Sequence, residues 1–242
     1  MFIVFFYDTI CLGDYMYINL NQIQLYYEIH GQGMPLILLH GNQEDHHIFN
    51  ELIESLNDDF LIYAIDSRNH GQSGKSLHLS YDDMAYDVYA FIEALHINKP
   101  HILGFSDGGI IALKLAILAP NLLSKMVLLG TNYHKKGLDK VTIKALKEEK
   151  DNPFIKLMLD EPNIKKKALK KINHECLIIV GEHDCIREKH TKNLHHYLIN
   201  SSVKVIKNHT HDSYIVHQDY LKPHLIQFLK NNTSDYAMIP LK

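Results

Sequence analysis

Short apolar runs alternate with amphipathic helical segments along almost the whole 242-residue chain. Each run is nearly continuous in apolar residues, which is typical of strands covered on both faces. Strands of this kind pair in a parallel sheet whose connections are helices. The predicted buried strands cover residues 34–41, 60–66, 101–105, 126–130, 176–181 and 203–206. The sequence therefore predicts an α/β fold built on a mostly parallel, doubly wound sheet with helices on both faces.

The remaining elements follow from the same periodicities. Apolar residues at helical spacing predict helices over 47–56, 84–95, 108–119, 188–198 and 218–229. Ser80 and Asp83 resemble a capping box at the start of the second of these. Residues 16–20 and 23–29 flank an Asn-Gln turn, which predicts a β-hairpin at an antiparallel edge of the sheet.

Residues 131–175 interrupt the alternation and contain no buried-strand run. They hold 12 lysines against seven acidic residues, a net charge of +5, which leaves −8 on the rest of the chain. We interpret this segment as a small helical cap inserted into a core formed by residues 16–130 and 176–242. Its lysines are interpreted as a solvated helix surface, with an anion-binding role as the alternative.

The N-terminal residues and the composition of the chain limit where the protein can be located and what it can bind. Residues 1–15 are apolar but lack a basic start, so they make a poor secretory signal. We interpret them as an N-terminal extension that is an appended tail, an anchor or an extra strand. Three cysteines cannot all pair, which favours a reducing, cytoplasmic compartment. A net charge of −3 and the lack of a long apolar run predict neither a nucleic-acid partner nor a membrane span.

The strongest local signal for chemistry is the G-x-S-x-G pattern from Gly104 to Gly108. It lies between an apolar strand and an apolar helix, where the glycines allow a sharp turn that presents the hydroxyl of Ser106 above the sheet. Asp107, next to the serine, is a favourable anion in the first turn of a helix, and a cationic substrate group is the weaker alternative partner.

A serine nucleophile needs a base that is oriented by an acid. In this architecture the acid and then the histidine follow the serine along the chain. Asp184 and His211 each follow a predicted strand, at the sheet edge where Ser106 lies. Glu182 is a rival for the acid, and His209 and His217 are rivals for the base.

Acyl transfer also needs preorganised donors for the developing oxyanion. The backbone N–H groups of Asn42 and Asp107 are the predicted donors, because Asn42 follows a strand ending in His40-Gly41 and Asp107 follows the nucleophile.

These motifs, in this order, resemble the α/β-hydrolase fold family from about residue 16 to residue 230. His40-Gly41 is similar to its oxyanion loop, and residues 66–73 to its D-x-R-G-x-G-x-S segment, with Asn69 where a glycine is usual. Asp184 and His211 are similar to its acid and base, although His209-Thr-His211-Asp212 replaces the common small residues before the histidine. The cap of the family corresponds in position to residues 131–175.

The resulting prediction is a carboxylesterase-like serine hydrolase that cleaves an ester or related acyl bond of a small substrate. Lactonase, thioesterase and carbon–carbon hydrolase activities remain open, as does the oligomeric state. No metal or organic cofactor is expected, since the paired histidines lack the spacing of a metal motif. The alternatives are a non-catalytic ligand-binding member of the fold and a P-loop-like nucleotide-binding module at residues 69–76.

Overall fold

The computed structural model describes residues 9–12, 15–20 and 23–230 of the chain. Within them a single nine-stranded sheet forms the centre of the fold, with strand order β1-β2-β3-β5-β4-β6-β7-β8-β9. In chain order these strands are β1 Thr9–Leu12, β2 Tyr15–Leu20, β3 Ile23–Gly31, β4 Met34–Leu39, β5 Phe60–Ile65, β6 His101–Phe105, β7 Lys125–Leu129, β8 Glu175–Gly181 and β9 Ser201–Ile206.

The sheet is antiparallel at one edge and parallel elsewhere. Strands β1, β2 and β3 pair antiparallel with their neighbours, and β3 pairs antiparallel with β5. All pairs from β5 through β4 to β9 are parallel. The predicted fold class and the 16–29 hairpin are therefore confirmed. The turn of that hairpin, residues 21–22, lies outside the described residues, as do residues 1–8 and 13–14 of the N-terminal extension.

Helices cover both faces of the sheet, and each face has its own apolar core. The helices are α1 Asn50–Leu56, α2 Tyr81–Ala94, α3 Asp107–Leu118, α4 Lys140–Glu148, α5 Pro153–Asp160, α6 Lys166–Leu169, α7 Glu188–Tyr197 and α8 Lys222–Lys230. Ser80 caps helix α2: its hydroxyl accepts the N–H of Asp83 at 3.1 Å, as the capping box predicts. The last helix begins four residues later than predicted, because residues 219–221 form a turn.

The segment between β7 and β8 is mainly helical. It holds α4, α5 and α6, and its last apolar residues, Leu169 and Ile172, belong to the core beneath the sheet. Strand β4 has β5 on one side and β6 on the other, so successive connections run in opposite directions from it. The carboxyl ends of the strands beside such a reversal leave a crevice, and this is where open α/β sheets bind ligands.

Candidate active site

A sharp turn between β6 and α3 presents Ser106 above the carboxyl edge of the sheet. Ser106 has φ 51° and ψ −111°, a sparsely populated conformation that costs about 1–3 kcal/mol for a residue with a side chain. Glycines make the turn possible: a Cβ on Gly104 would lie 2.3 Å from the backbone of Gly108, and one on Gly108 would lie 2.1 Å from the carbonyl oxygen of Leu39. The strand-turn-helix that the G-x-S-x-G pattern predicts is present.

The three side chains predicted to form the triad lie in one hydrogen-bonded row. Nε2 of His211 is 3.1 Å from Oγ of Ser106, and Nδ1 of His211 is 2.8 Å from Oδ1 of Asp184. The Asp184 side chain is only 3% exposed, and its Oδ1 also accepts the N–H of Ile186 at 2.8 Å. This second bond fixes the carboxylate that orients the ring. With Nδ1 protonated toward Asp184, Nε2 is free to accept the serine proton.

The surroundings of His211 favour its charged form. Burial of the ring opposes the charge, but the hydrogen bond to Asp184 and the neighbouring Cys185 outweigh it and raise the pKa of His211 to about 10. A site with this balance stabilises the imidazolium that forms when a serine proton is taken up.

The rival residues make contacts elsewhere. Glu182 is exposed, and its carboxylate accepts the backbone N–H of Asn208 at 2.9 Å. The ring of His209 is 3.0 Å from Oγ of Ser213, and that of His217 lies 3.4 Å from the carboxylate of Glu51. Of the acids and histidines weighed from the sequence, the structure brings Asp184 and His211 to Ser106.

The residues expected to supply the oxyanion donors are joined to each other. Asp107 is the first residue of α3, so its N–H has no partner within the helix. The side-chain amide of Asn42 donates to Oδ2 of Asp107 at 2.8 Å. This bond holds the loop after β4 against the first turn of α3, beside Ser106. Oδ1 of Asn42 is buried without a hydrogen-bond partner among the described residues.

The Asp107 side chain is not available to a cationic substrate group. It is 4% exposed, and besides the Asn42 amide its Oδ1 accepts the hydroxyl of Tyr81 at 2.7 Å. Burial raises the pKa of Asp107 to about 6, although the hydrogen bonds from Asn42 and Tyr81 act in the opposite direction. The alternative in which Asp107 binds a cationic substrate group is therefore wrong. Its carboxylate is hydrogen-bonded to Asn42 and Tyr81 and holds the loop after β4 in place.

Two more groups support the same loop. The buried ring of His40 accepts the N–H of Ser67 at 3.0 Å through Nε2 and donates through Nδ1 to the carbonyl of Gly41. Burial and the neighbouring His70 lower the pKa of His40 to about 4, so the ring is neutral. Glu44, which the sequence did not single out, accepts the N–H of Gly41 at 2.9 Å, and burial raises its pKa to about 7.

The start of helix α5 touches the same loop from the other side. The side-chain amide of Asn152, which caps α5, donates to Oε1 of Gln43 at 2.9 Å. The amide of Asn42 lies 3.4 Å from the carbonyl oxygen of Phe154, whose ring packs on His70 with 4.7 Å between centroids. The start of α5 therefore closes over the serine side of the crevice. No pattern in the sequence pointed to these contacts, since they join segments about 110 residues apart.

The P-loop-like segment forms a closed turn in the structure. Asn69 has φ 66°, which explains why a glycine is usual there and why an asparagine is tolerated. The ammonium of Lys75 donates to the carbonyl of Asn69 at 2.7 Å, and the next helix begins only at Tyr81. A phosphate-binding loop needs a helix N-terminus directly behind it, so the geometry gives the nucleotide-binding alternative no support.

Histidine clusters could in principle hold a metal ion. Among the described residues, ligand atoms lie close together at Asp45, His46 and His47, and at Asp184, Cys185 and His211. In the first group, the ring of His46 already contacts Asp66 at 2.7 Å and Glu28 at 3.1 Å. In the second group, the nitrogen atoms of His211 contact Asp184 and Ser106. The rings of His46 and His211 thus already use their nitrogen atoms in hydrogen bonds within the protein.

Comparison with known proteins agrees with the architecture. The solved structure of MGS-M2, an alpha/beta hydrolase enzyme from a Medee basin deep-sea metagenome library, superposes with a TM-score of 0.76 at 20% identity, covering 91% of this chain and 99% of that one. Residues 34–151, which include the Asn42 loop, Ser106 and all of α4, match the model of the alpha/beta hydrolase fold. The chain belongs to the α/β-hydrolase fold family.

Curated relatives in this family match only part of the chain. The sn-1-specific diacylglycerol lipase ABHD11 of Danio rerio is 34% identical over 131 residues, which is 50% of this chain and 39% of that protein. The uncharacterized hydrolase YugF of Bacillus subtilis is 29% identical over 165 residues, covering 66% of this chain and 60% of that protein. The matches thus span less than two thirds of these relatives. Within the described residues, none of the helices has the length and apolar character that crossing a bilayer requires.

Proposed function

We propose that this chain is a serine hydrolase that cleaves an ester or related acyl bond of a small substrate. The observation that carries the proposal is the continuous row from Oγ of Ser106 through His211 to the buried carboxylate of Asp184. A serine held in strained backbone geometry with a base and an oriented acid is the arrangement that nucleophilic acyl transfer requires. The hydrolase names of the curated relatives support the same class of reaction.

The proposed reaction has two halves. Oγ of Ser106 bonds to the substrate carbonyl carbon while Nε2 of His211 takes the hydroxyl proton, which leaves a negative oxygen. The backbone N–H groups of Asn42 and Asp107 stabilise that oxygen. The imidazolium then donates its proton to the leaving group as the bond to the acyl carbon breaks. Water, deprotonated by His211, releases the acid from the acyl-serine by the same steps, with Asp184 stabilising the charged ring.

The acyl group itself is left to experiment. We take carboxylic esters as the default substrate class, because their hydrolysis requires only the nucleophile, the base with its acid, and the oxyanion donors. Lactones and thioesters are hydrolysed by the same steps. The inserted helices, which lie against the Asn42 loop, set the shape of the acyl pocket. The proposal includes residues 131–175 as the cap and the cytoplasm as the location.

The test is labelling by a fluorophosphonate probe, with the wild type beside Ser106→Ala. Labelling that requires Ser106 is expected, followed by turnover of chromogenic esters with a defined optimum of acyl-chain length. A folded wild type that resists the probe would contradict an assembled triad. The alternative, a non-catalytic ligand-binding member of the family, would then take its place.

A further inference from the structure

A second cavity of about 700 Å³ opens between the inserted segment and α7. Its walls come from residues 133–136 just after β7, from residues 163–166 before and at the start of α6, and from residues 187–193 of α7 and its approach. None of Ser106, Asp184 and His211 lines it. A cavity of this size accommodates a small organic molecule.

The rim of this cavity is strongly cationic. Five exposed basic residues contribute to its lining, namely Lys136, Lys165, Lys166, Arg187 and Lys189. The residues that line it include neither aspartate nor glutamate. In the described part of the chain, none of the five takes part in a salt bridge. Two of the five have uncharged partners in the protein: the ammonium of Lys166 lies 5.5 Å from the ring centroid of Tyr197, and the guanidinium of Arg187 donates to the carbonyl oxygen of Lys136. The excess of positive charge along the rim attracts anions.

The floor of the cavity is uncharged and partly apolar. The rings of Tyr133 and His190 stack with 4.1 Å between centroids, and Nε2 of His190 accepts the N–H of Tyr133 at 3.1 Å. Burial, together with the charge of Arg187, lowers the pKa of His190 to about 4, so the ring carries no charge at neutral pH. Ile164 adds a buried aliphatic side chain. A flat or aliphatic body can therefore rest on this floor.

From this arrangement we infer that the cavity binds a small organic phosphate. The phosphoryl group would meet the cationic rim, and the apolar body of the ligand would lie on Tyr133 and Ile164. A dianion is attracted more strongly than a single carboxylate by several cationic side chains, and the planar guanidinium of Arg187 suits phosphate oxygens. The inference develops the anion-binding alternative for the lysines of the insert, and it does not depend on the hydrolase proposal.

The binding test uses phenyl phosphate as the probe, with inorganic phosphate and phenol as its two halves, measured by isothermal titration calorimetry. The variant Lys165→Gln/Lys166→Gln/Lys189→Gln removes three rim charges from exposed positions. The matched control, Lys144→Gln/Lys147→Gln/Lys150→Gln, removes three exposed charges of the insert that do not line the cavity. The phosphate group that binds here can belong to a separate ligand or to the acyl substrate itself. The type of inhibition that phenyl phosphate exerts on ester turnover distinguishes these two cases.

Phenyl phosphate is expected to bind more tightly than either half. The rim variant should weaken it about tenfold, a figure built from two or three surface charge contacts, while the control variant changes the Kd less than twofold. Binding should persist in Ser106→Ala, so it can be measured even if the chain proves to have no hydrolase activity. Equal losses in the two triple variants, or equal affinity for phenol and phenyl phosphate, would overturn the inference. Competitive inhibition would assign the phosphate to the substrate, and non-competitive inhibition to a separate ligand.

Discussion

At the scale of single residues, the proposed chemistry depends most clearly on the carboxylate of Asp184, which orients the ring of His211. Its carboxylate is buried, accepts the N–H of Ile186 and meets Nδ1 of His211 at 2.8 Å. An asparagine has nearly the same shape, but its amide can force the ring into the wrong tautomer, in which Nε2 carries a proton and cannot accept one from Ser106.

Asp184→Asn is therefore expected to lower kcat by about 10⁴-fold while the protein stays folded. Steady-state kinetics on a chromogenic ester, together with thermal unfolding followed by circular dichroism, measure the two effects separately. Glu182→Gln is the matched control, because Glu182 lies two residues away and is exposed. A near-normal rate in Asp184→Asn would mean that another group orients His211.

The raised pKa of His211 predicts the direction of the pH dependence. Only the neutral ring can take the serine proton, and Asp184 favours the charged ring. We expect kcat/KM to rise with pH, with a midpoint above 6.5, the ordinary value for histidine. A pH–rate profile of the free enzyme measures this midpoint. A wild-type midpoint below 6.5 would show that the carboxylate does not act on the ring in this way.

At the scale of elements, the start of α5 rests on the loop after β4. The Asn152 side chain has two contacts there: Oδ1 caps α5 through the N–H of Phe154, and its amide reaches Gln43. Serine is also a good helix cap but is too short to reach Gln43, so Asn152→Ser separates the two roles.

This substitution should raise KM several-fold and leave kcat within about twofold, because it loosens the pocket wall but not the row of Ser106, His211 and Asp184. Initial rates over a range of ester concentrations give both constants. Asp139→Ser, at the cap of α4, is the control, since Asp139 caps its helix through the N–H of Thr142 in the same way. An unchanged KM would remove α5 from the substrate pocket.

The elements themselves were largely predictable from the sequence. Buried strands and the Ser80 cap carry their signals within a few neighbouring residues. Ser106, Asp184 and His211 each follow a predicted strand, which predicts that they lie at one edge of the sheet. The role of Asp107 was not predictable in the same way. Its side chain is held by Tyr81 and Asn42, which are 26 and 65 residues away in sequence. Packing between distant segments decides such contacts, and no local pattern encodes them.

At the scale of the whole molecule, the same histidine links stability to pH. A group whose pKa is higher in the folded than in the unfolded state stabilises the fold below the unfolded value, and this contribution is lost as pH rises through the folded value. For His211 the window lies between about 6.5 and about 10.

The difference in free energy of unfolding between the wild type and His211→Gln should therefore shrink as pH rises across this window. Urea unfolding of both proteins at several pH values measures it, and the lysines and tyrosines that titrate in the same range cancel in the difference. His209→Gln serves as the comparison variant. A difference that stays constant or grows with pH would contradict the raised pKa.

The contacts between α5 and the loop after β4 have a further consequence for the history of this chain. Asn152 meets Gln43, and the carbonyl of Phe154 meets the amide of Asn42. An insert borrowed from another family member would arrive without the partners that these groups need. A chimera would have to exchange Gln43 and Asn152 together, and we therefore expect the residues at these two positions to vary together among relatives, although they lie far apart in the sequence.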